Sequence, residues 1–76
     1  MQIFIKYIKK YELNVEPTIT IYDLKSLIKD HIGMPILRQR LIFRDKSLDD
    51  SSATLNDYSI EEDTTIHLVY KLFGGG

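Results

Sequence analysis

Between Thr20 and Gly33 lies the one stretch of this chain whose apolar residues recur at helical spacing, and that limits the architecture more than anything else in it. Ile21, Leu24, Leu27 and Ile28 form a stripe, with Lys25 and Lys29 off it. Thr20 offers a hydroxyl N-cap, and Asp23 follows in the acidic variant of a capping box. Gly33 is placed to close the helix in the left-handed conformation, and Pro35 follows it. The pattern predicts an amphipathic helix over residues 20–32. A single helix has a single apolar stripe, so it can cover one face of a sheet and no more.

The rest of the chain alternates. Ile3, Ile5 and Tyr7 interleave with Phe4, Lys6 and Ile8, and Tyr11, Leu13 and Val15 with Glu12, Asn14 and Glu16. Two period-2 runs separated by Lys9-Lys10 predict a β-hairpin, though that turn lacks the glycine or asparagine that positive φ favours. Pro17 ends the second run because it cannot donate to a ladder. Arg40–Phe43 and Lys46–Leu48 read as two short strands around an Arg44-Asp45 turn. Asp49–Ala53 is polar and loop-like, and Leu55, Tyr58 and Ile60 fit a compact 3₁₀ segment. Thr65–Leu72 reads as a last strand with Ile66, Leu68 and Tyr70 inward and His67, Val69 and Lys71 outward. The predicted fold class is α+β: a mixed sheet packed on one helix, in a domain spanning residues 1–72. Residues 73–76 form a glycine tail expected to be mobile, since nothing after Phe73 has a side chain to pack.

Composition narrows the function. A chain of 76 residues holds one small domain, burying about 60% of the surface it exposes when unfolded. Without cysteine it has no disulfide framework, no thiolate metal site and no nucleophilic thiol. Ten basic against eleven acidic residues give a net charge of −1, which argues against general nucleic-acid binding. No apolar run is long enough to span a bilayer, and the opening Met1-Gln2-Ile3-Phe4 lacks the pattern of a signal peptide. His31 and His67 are far apart with no cysteine to support them, and Glu61-Glu62-Asp63 lacks the alternation of a calcium loop, so no metal site is expected. Nor does the chain offer a Ser/His/Asp set; no cofactor and no catalysis are expected.

Several blocks resemble the ubiquitin family from end to end. They are Met1-Gln2-Ile3-Phe4-x-Lys6, Val15-Glu16-Pro17, Thr20-Ile21, Gln39-Arg40-Leu41-Ile42-Phe43, Lys46-x-Leu48-x-Asp50, Thr54-Leu55-x-Asp57-Tyr58-x-Ile60, His67-Leu68-Val69 and Leu72-x-Gly74-Gly75. The fold implied is the β-grasp, in agreement with the element order above. The chain also departs from the family's best-known member. Its first hairpin is shorter and lacks the turn glycine, the Ser51-Ser52-Ala53 loop is longer, and Asp45 replaces a turn glycine, a site that Asp tolerates better than most residues. Lys71 and Phe73 stand where two arginines are expected, and Gly76 is additional.

The resemblance implies a protein modifier, which is a substrate rather than a catalyst. Its terminal carboxylate is adenylated at the cost of ATP, passed as a thioester to enzyme cysteines, and joined to a target lysine. Paired glycines suit a narrow site where any Cβ would clash. Gly74 and Gly75 fit, with Gly76 either cleaved off or retained as the end. Implied partners are activating, conjugating and ligase enzymes, a deconjugating protease and ubiquitin-binding proteins. A monomer is expected, in the cytoplasm and, in a eukaryote, the nucleus.

Ile42 and Val69, with Ile8 near the hairpin turn and His67 beside them, occupy the family's main recognition surface; Arg40, Lys46 and Lys71 are expected to ring it. Strand alternation supports an exposed patch, because Leu41, Phe43, Leu68 and Tyr70 supply inward partners. Lys6, Lys25 and Lys46 match lysines that accept further copies in chain building, Lys46 being the leading candidate. Glu62 replaces another such lysine. Lys71 keeps a charge but not the bidentate fork of arginine, which implies weaker handling by a standard ubiquitin-activating enzyme. Two other classes are alternatives: a non-conjugated ubiquitin-like interaction module, natural or selected to occupy a pathway enzyme, and a sulfur carrier ending in a thiocarboxylate, which shares the fold, the terminal glycines and adenylation but is disfavoured by the match at the recognition patch and at Lys46.

Overall fold

A computed structural model describes residues 1–72. Two strands, β1 (Gln2–Tyr7) and β2 (Lys9–Asn14), form an antiparallel hairpin and are followed by α1 (Ile21–Ile32). A 3₁₀ turn (Ile36–Arg38) leads into β3 (Gln39–Phe43) and β4 (Lys46–Ser47), and a second (Asn56–Tyr58) precedes β5 (Thr65–Tyr70). The sheet order is β2-β1-β5-β3-β4, with β1 and β5 parallel at its centre and the other pairs antiparallel. This is the β-grasp.

The helix begins and ends where its local chemistry dictates. Thr20 has extended backbone, and its Oγ1 accepts from the Asp23 N–H at 3.1 Å, satisfying a donor that the first turn leaves open. Gly33 sits at φ +87° and donates its N–H to the Lys29 carbonyl at 2.8 Å. A Cβ there would meet nothing within 4 Å, so the backbone conformation, not space, is what calls for glycine. Ile21, Leu24 and Ile28 are buried against the sheet, with Leu27 half-buried beside them. From the strands, Ile3, Ile5, Leu13, Leu41, Ile66 and Leu68 complete the core, and Leu48, Leu55 and Ile60 close it from the connecting segments.

Four expectations need correction. The hairpin turns on Ile8, not on Lys9-Lys10: Lys9 pairs with Tyr7 and Lys10 with Lys6, both inside β2. The pairs Ile3↔Leu13 and Ile5↔Tyr11 place apolar side chains together on the helix side, and that register leaves a single residue to turn the chain. Ile8 accordingly takes φ +58°, where a β-branched residue is strained. In the β3–β4 turn Arg44, not Asp45, takes the positive φ. The last strand ends at Tyr70; Lys71 instead donates its backbone N–H to the Arg38 carbonyl, while the Arg38 guanidinium donates to the Lys71 carbonyl at 3.1 Å. Tyr70 is 45% exposed rather than inward and buried, because α1 stops at Ile32 and does not reach far enough to cover it.

The Ile36–Arg38 turn was not expected, and neither was the burial of Gln39. This side chain is 2% exposed, and its Nε2 donates to the Lys25 carbonyl at 2.8 Å and the Met34 carbonyl at 3.0 Å, tying helix, connection and β3 together.

Candidate interaction face

The face of the sheet away from α1 has no covering element, so its residues are set by strand alternation alone. Cross-strand register places Arg40 opposite Val69 and Ile42 opposite His67, and β1 sets Lys6 beside His67. Residues opposite one another share a face, so these five form a continuous surface with apolar side chains among basic ones. Val69 is 43% exposed, Ile42 is half-buried, and Arg40, His67 and Lys6 are exposed. Lys71 follows, exposed, beyond the end of β5. Ile8 is 87% exposed at the hairpin tip, and its carbonyl accepts from the Lys6 Nζ at 3.2 Å.

Arg40 is held in place by a short relay: its Nε donates to Ser47 Oγ at 3.3 Å, and that hydroxyl donates to Asp49 Oδ1 at 2.7 Å. Phe4 shares the outward side of β1 and lies under the Lys10 ammonium, 5.1 Å from its ring centroid; its place on this face was missed in the sequence. The period-2 signal that exposes Lys6 would have found it.

The lysines separate. Lys46 does not ring the face as expected. The two-residue turn makes it the closing partner of Phe43, and its Nζ lies 5.2 Å from the Tyr58 ring. It is exposed nonetheless. Lys25 lies half-buried on α1, and its pKa is held below the usual lysine range. Burial is the main cause, the Lys71 charge adds to it, and Asp49 acts in the opposite sense. Asp50 has its carboxyl lowered by the Ser52 hydroxyl, which donates to Oδ1 at 2.8 Å, and by the Ser52 N–H at 3.1 Å. Gly74, Gly75 and Gly76, with Phe73, lie outside the described residues. Among the described residues, no group of three or more His, Cys, Asp or Glu is arranged to hold a metal ion, and no helix is long and apolar enough to cross a membrane.

A second apolar grouping lies at the far end of the helix and was not anticipated from the sequence. Leu37 is 76% and Leu72 81% exposed, and Tyr70 stands near them with the Arg38 guanidinium carbon 5.6 Å from its ring centroid. The Ile36-Leu37 pair directly after Pro35 was the available signal.

Comparison with known proteins bears on the whole domain. A family model described as "Ubiquitin family" matches residues 3–73. The ubiquitin-like protein NEDD8 of Dictyostelium discoideum is 37% identical over 67 residues, covering 88% of this chain and 86% of that protein. The NEDD8-like protein RUB1 of Saccharomyces cerevisiae is 35% identical over 67 residues with the same coverage of each. The ubiquitin domain-containing protein DSK2 of that yeast is 38% identical over 60 residues, but this chain spans only 16% of its length. With the fold, the outward face and these matches in agreement, the chain belongs to the ubiquitin family.

Proposed function

We propose that this chain is a conjugated ubiquitin-like modifier, activated through the glycines at 74 and 75 and read through the Arg40–Ile42–His67–Val69 face. The observation that carries the reading is the position of Leu72-x-Gly74-Gly75, which starts two residues beyond the end of β5. The motif thus follows closely in sequence on the strand that supplies His67 and Val69. The coverage shared with NEDD8 and RUB1, most of both chains, supports it too. In this reading the terminal carboxylate is adenylated with release of pyrophosphate and transferred to an enzyme thiol with release of AMP. It then forms an isopeptide with a lysine amine as the thiol leaves. Lys46 is the leading acceptor for a further copy, with Lys6 and the less accessible Lys25 behind it.

The test is tryptic mass spectrometry of proteins from cells that carry the chain. Cleavage after Lys71 should leave Leu72-Phe73-Gly74-Gly75, with or without Gly76, on target lysines. That remnant on other proteins establishes conjugation, and its mass reports the fate of the third glycine. Finding it on Lys46 would establish chain building.

The match to DSK2, in which the corresponding segment is a small part of a longer chain, favours a second reading as a non-conjugated interaction domain. Free chain without any remnant, together with partners captured by the parent and lost by Ile42→Ala, would decide for it.

A further inference from the structure

The pairing of β3 with β5 stops at Ile42↔His67, although β3 runs on to Phe43 and β5 begins at Thr65. Continued further, that register would set Arg44 against Thr65 and Asp45 against Thr64. Instead the chain reverses at Arg44-Asp45 to bring Lys46 opposite Phe43, and the two walls part. The gap is a cleft of about 450 Å³ lined by Phe43, Arg44, Asp45, Thr64, Thr65 and His67. Sites for small ligands fall in the range of about 300–1,000 Å³. Each wall is set by a non-glycine residue in the left-handed region: Arg44 at φ +58° on one side, and Asp63, next to Thr64, at φ +63° on the other. Such conformations cost free energy and gather at ligand clamps.

We infer that this cleft takes a phosphomonoester dianion, presented as a phosphorylated serine or threonine by a partner seated on the Ile42–Val69 face. Three observations carry this. First, the lining is rich in donors. The Arg44 guanidinium, the His67 ring and the Thr64 and Thr65 hydroxyls all border the cleft, and among the described residues none of them spends a side-chain hydrogen bond or ion pair elsewhere. Second, Arg44 is held ready. Its guanidinium carbon lies 5.1 Å from the Phe43 ring centroid, and stacking on the ring fixes the plane while leaving the N–H edge for paired oxygens. Third, His67 belongs both to the cleft and to the outward face, where it stands opposite Ile42, so a partner on that face lies at the mouth of the cleft. The charges do not all agree: Asp45 lines the same cleft, and Asp63 adjoins Thr64. A carboxylate could use the guanidinium fork but would leave the hydroxyls idle. A phosphomonoester carries a charge of about −1.5 to −2 near pH 7 and three acceptor oxygens, enough for guanidinium, imidazole and hydroxyls together. Asp45 then lowers the affinity, which gives the reading a sign that can be tested. The partner's position rests on the face proposed above; the affinity of the cleft for the dianion does not.

The experiment is a titration of the full chain at constant ionic strength, followed by amide NMR, with inorganic phosphate, with a short peptide carrying one phosphothreonine, and with the same peptide unphosphorylated. Phosphate and the phosphopeptide should give saturable shifts at Arg44, Thr65 and His67, and the unphosphorylated peptide none there. Arg44→Gln should weaken both at least about tenfold, the loss of a charge-assisted pair. Asp45→Asn should tighten both about threefold by removing a like charge. A site for cations would respond to the two variants in the opposite sense. Both residues are exposed in the turn, so the variants should fold, and their thermal midpoints check that. Ile42→Ala should leave the affinity for phosphate unchanged, so a failure of the face as a docking surface would not be mistaken for a failure of the cleft. The inference is overturned by absence of saturable shifts at millimolar phosphate and phosphopeptide, by equal binding of the unphosphorylated peptide, by an Arg44→Gln variant that binds as the parent does, or by weaker binding in Asp45→Asn. Binding of phosphate without the phosphopeptide would assign the cleft to a free small phosphate and overturn its use by a protein partner.

Discussion

Gln39 is the sharpest place to perturb this fold, because one amide nitrogen serves two buried carbonyls. Its Nε2 lies 2.8 Å from the Lys25 oxygen and 3.0 Å from the Met34 oxygen, while its Oε1 is buried and finds no partner among the described residues. The amide orientation follows from this, since the reverse would set an acceptor against two acceptors. Gln39→Glu replaces the donor with a group that, when protonated, offers one O–H to the two carbonyls. A lost bond to a buried carbonyl costs about 1–3 kcal/mol. Ionised, the carboxylate would face both carbonyl oxygens with no donor, so the folded protein should hold it protonated and its pKa should rise above the usual value of about 4.3.

The sign of the pH dependence follows. Below about pH 4 the carboxyl is protonated in both folded and unfolded states, and only the lost hydrogen bond is felt. As pH rises, the unfolded chain ionises while the folded chain keeps its proton, so stability falls by up to about 1.36 kcal/mol per pH unit until the folded pKa is passed. A shift of about two units brings the total cost near pH 7 to roughly 4–6 kcal/mol. A domain of this length is stable by roughly 4–11 kcal/mol, so the variant should lose at least about a third of its stability at neutral pH, and all of it if the parent lies at the low end of that range. The control is Gln39→Met, which removes both donors and the orphaned Oε1 without adding a titratable group. Urea denaturation of both variants between pH 3.5 and 7.5 (a span of about four units, chosen around the usual glutamate pKa) gives the comparison. The gap between them should be small in acid and widen with pH. A gap independent of pH, or a glutamate variant as stable as the methionine one at pH 7, would refute the reasoning.

Two further outcomes test other parts of the structure. Ile8→Asn should raise the thermal midpoint by several degrees, because asparagine tolerates the left-handed conformation that costs a β-branched residue about 1–2 kcal/mol, and the highly exposed side chain gives up little burial; a lower midpoint would mean that Ile8 is not strained. The Lys25 ammonium, followed by the NMR shift of its ε-carbon, should titrate below the usual lysine value and move upward in Lys71→Gln, which removes one of the two causes that depress it; a Lys25 midpoint at or above the usual value counts against its burial.

What could be read in the sequence was whatever local chemistry decides. Thr20 and Gly33 bound the helix because a cap and a left-handed glycine act on their own neighbours. Arg40, Ile42, His67 and Val69 could be assigned outward because alternation survives whatever the strands pair with. What could not be read depends on partners distant in the chain. The turn at Ile8 results from matching apolar residues across two strands, and residue preferences at the turn itself pointed elsewhere. Lys46 leaves the rim of the face through the register of a two-residue strand. The burial of Gln39 needs carbonyls from α1 and from the connection after it, and nothing near Gln39 in the sequence announces them.

Both apolar groupings trace to the same imbalance, that of one twelve-residue helix against a five-stranded sheet. The helix covers one face, so the opposite face is left to alternation and presents Ile42 and Val69 among basic residues. Even the covered face is not covered to its end. At a rise of about 1.5 Å per residue α1 is about 18 Å long, and past Gly33 the chain turns away through Pro35. Tyr7 and Tyr70, inward by alternation, therefore meet a cleft instead of a helix. Lengthening the helix would bury them and abolish the second grouping while leaving the first intact. The two groupings are thus separable by design: substitutions at Ile42 and at Tyr70 change different faces of the sheet, and their effects on stability should add without coupling.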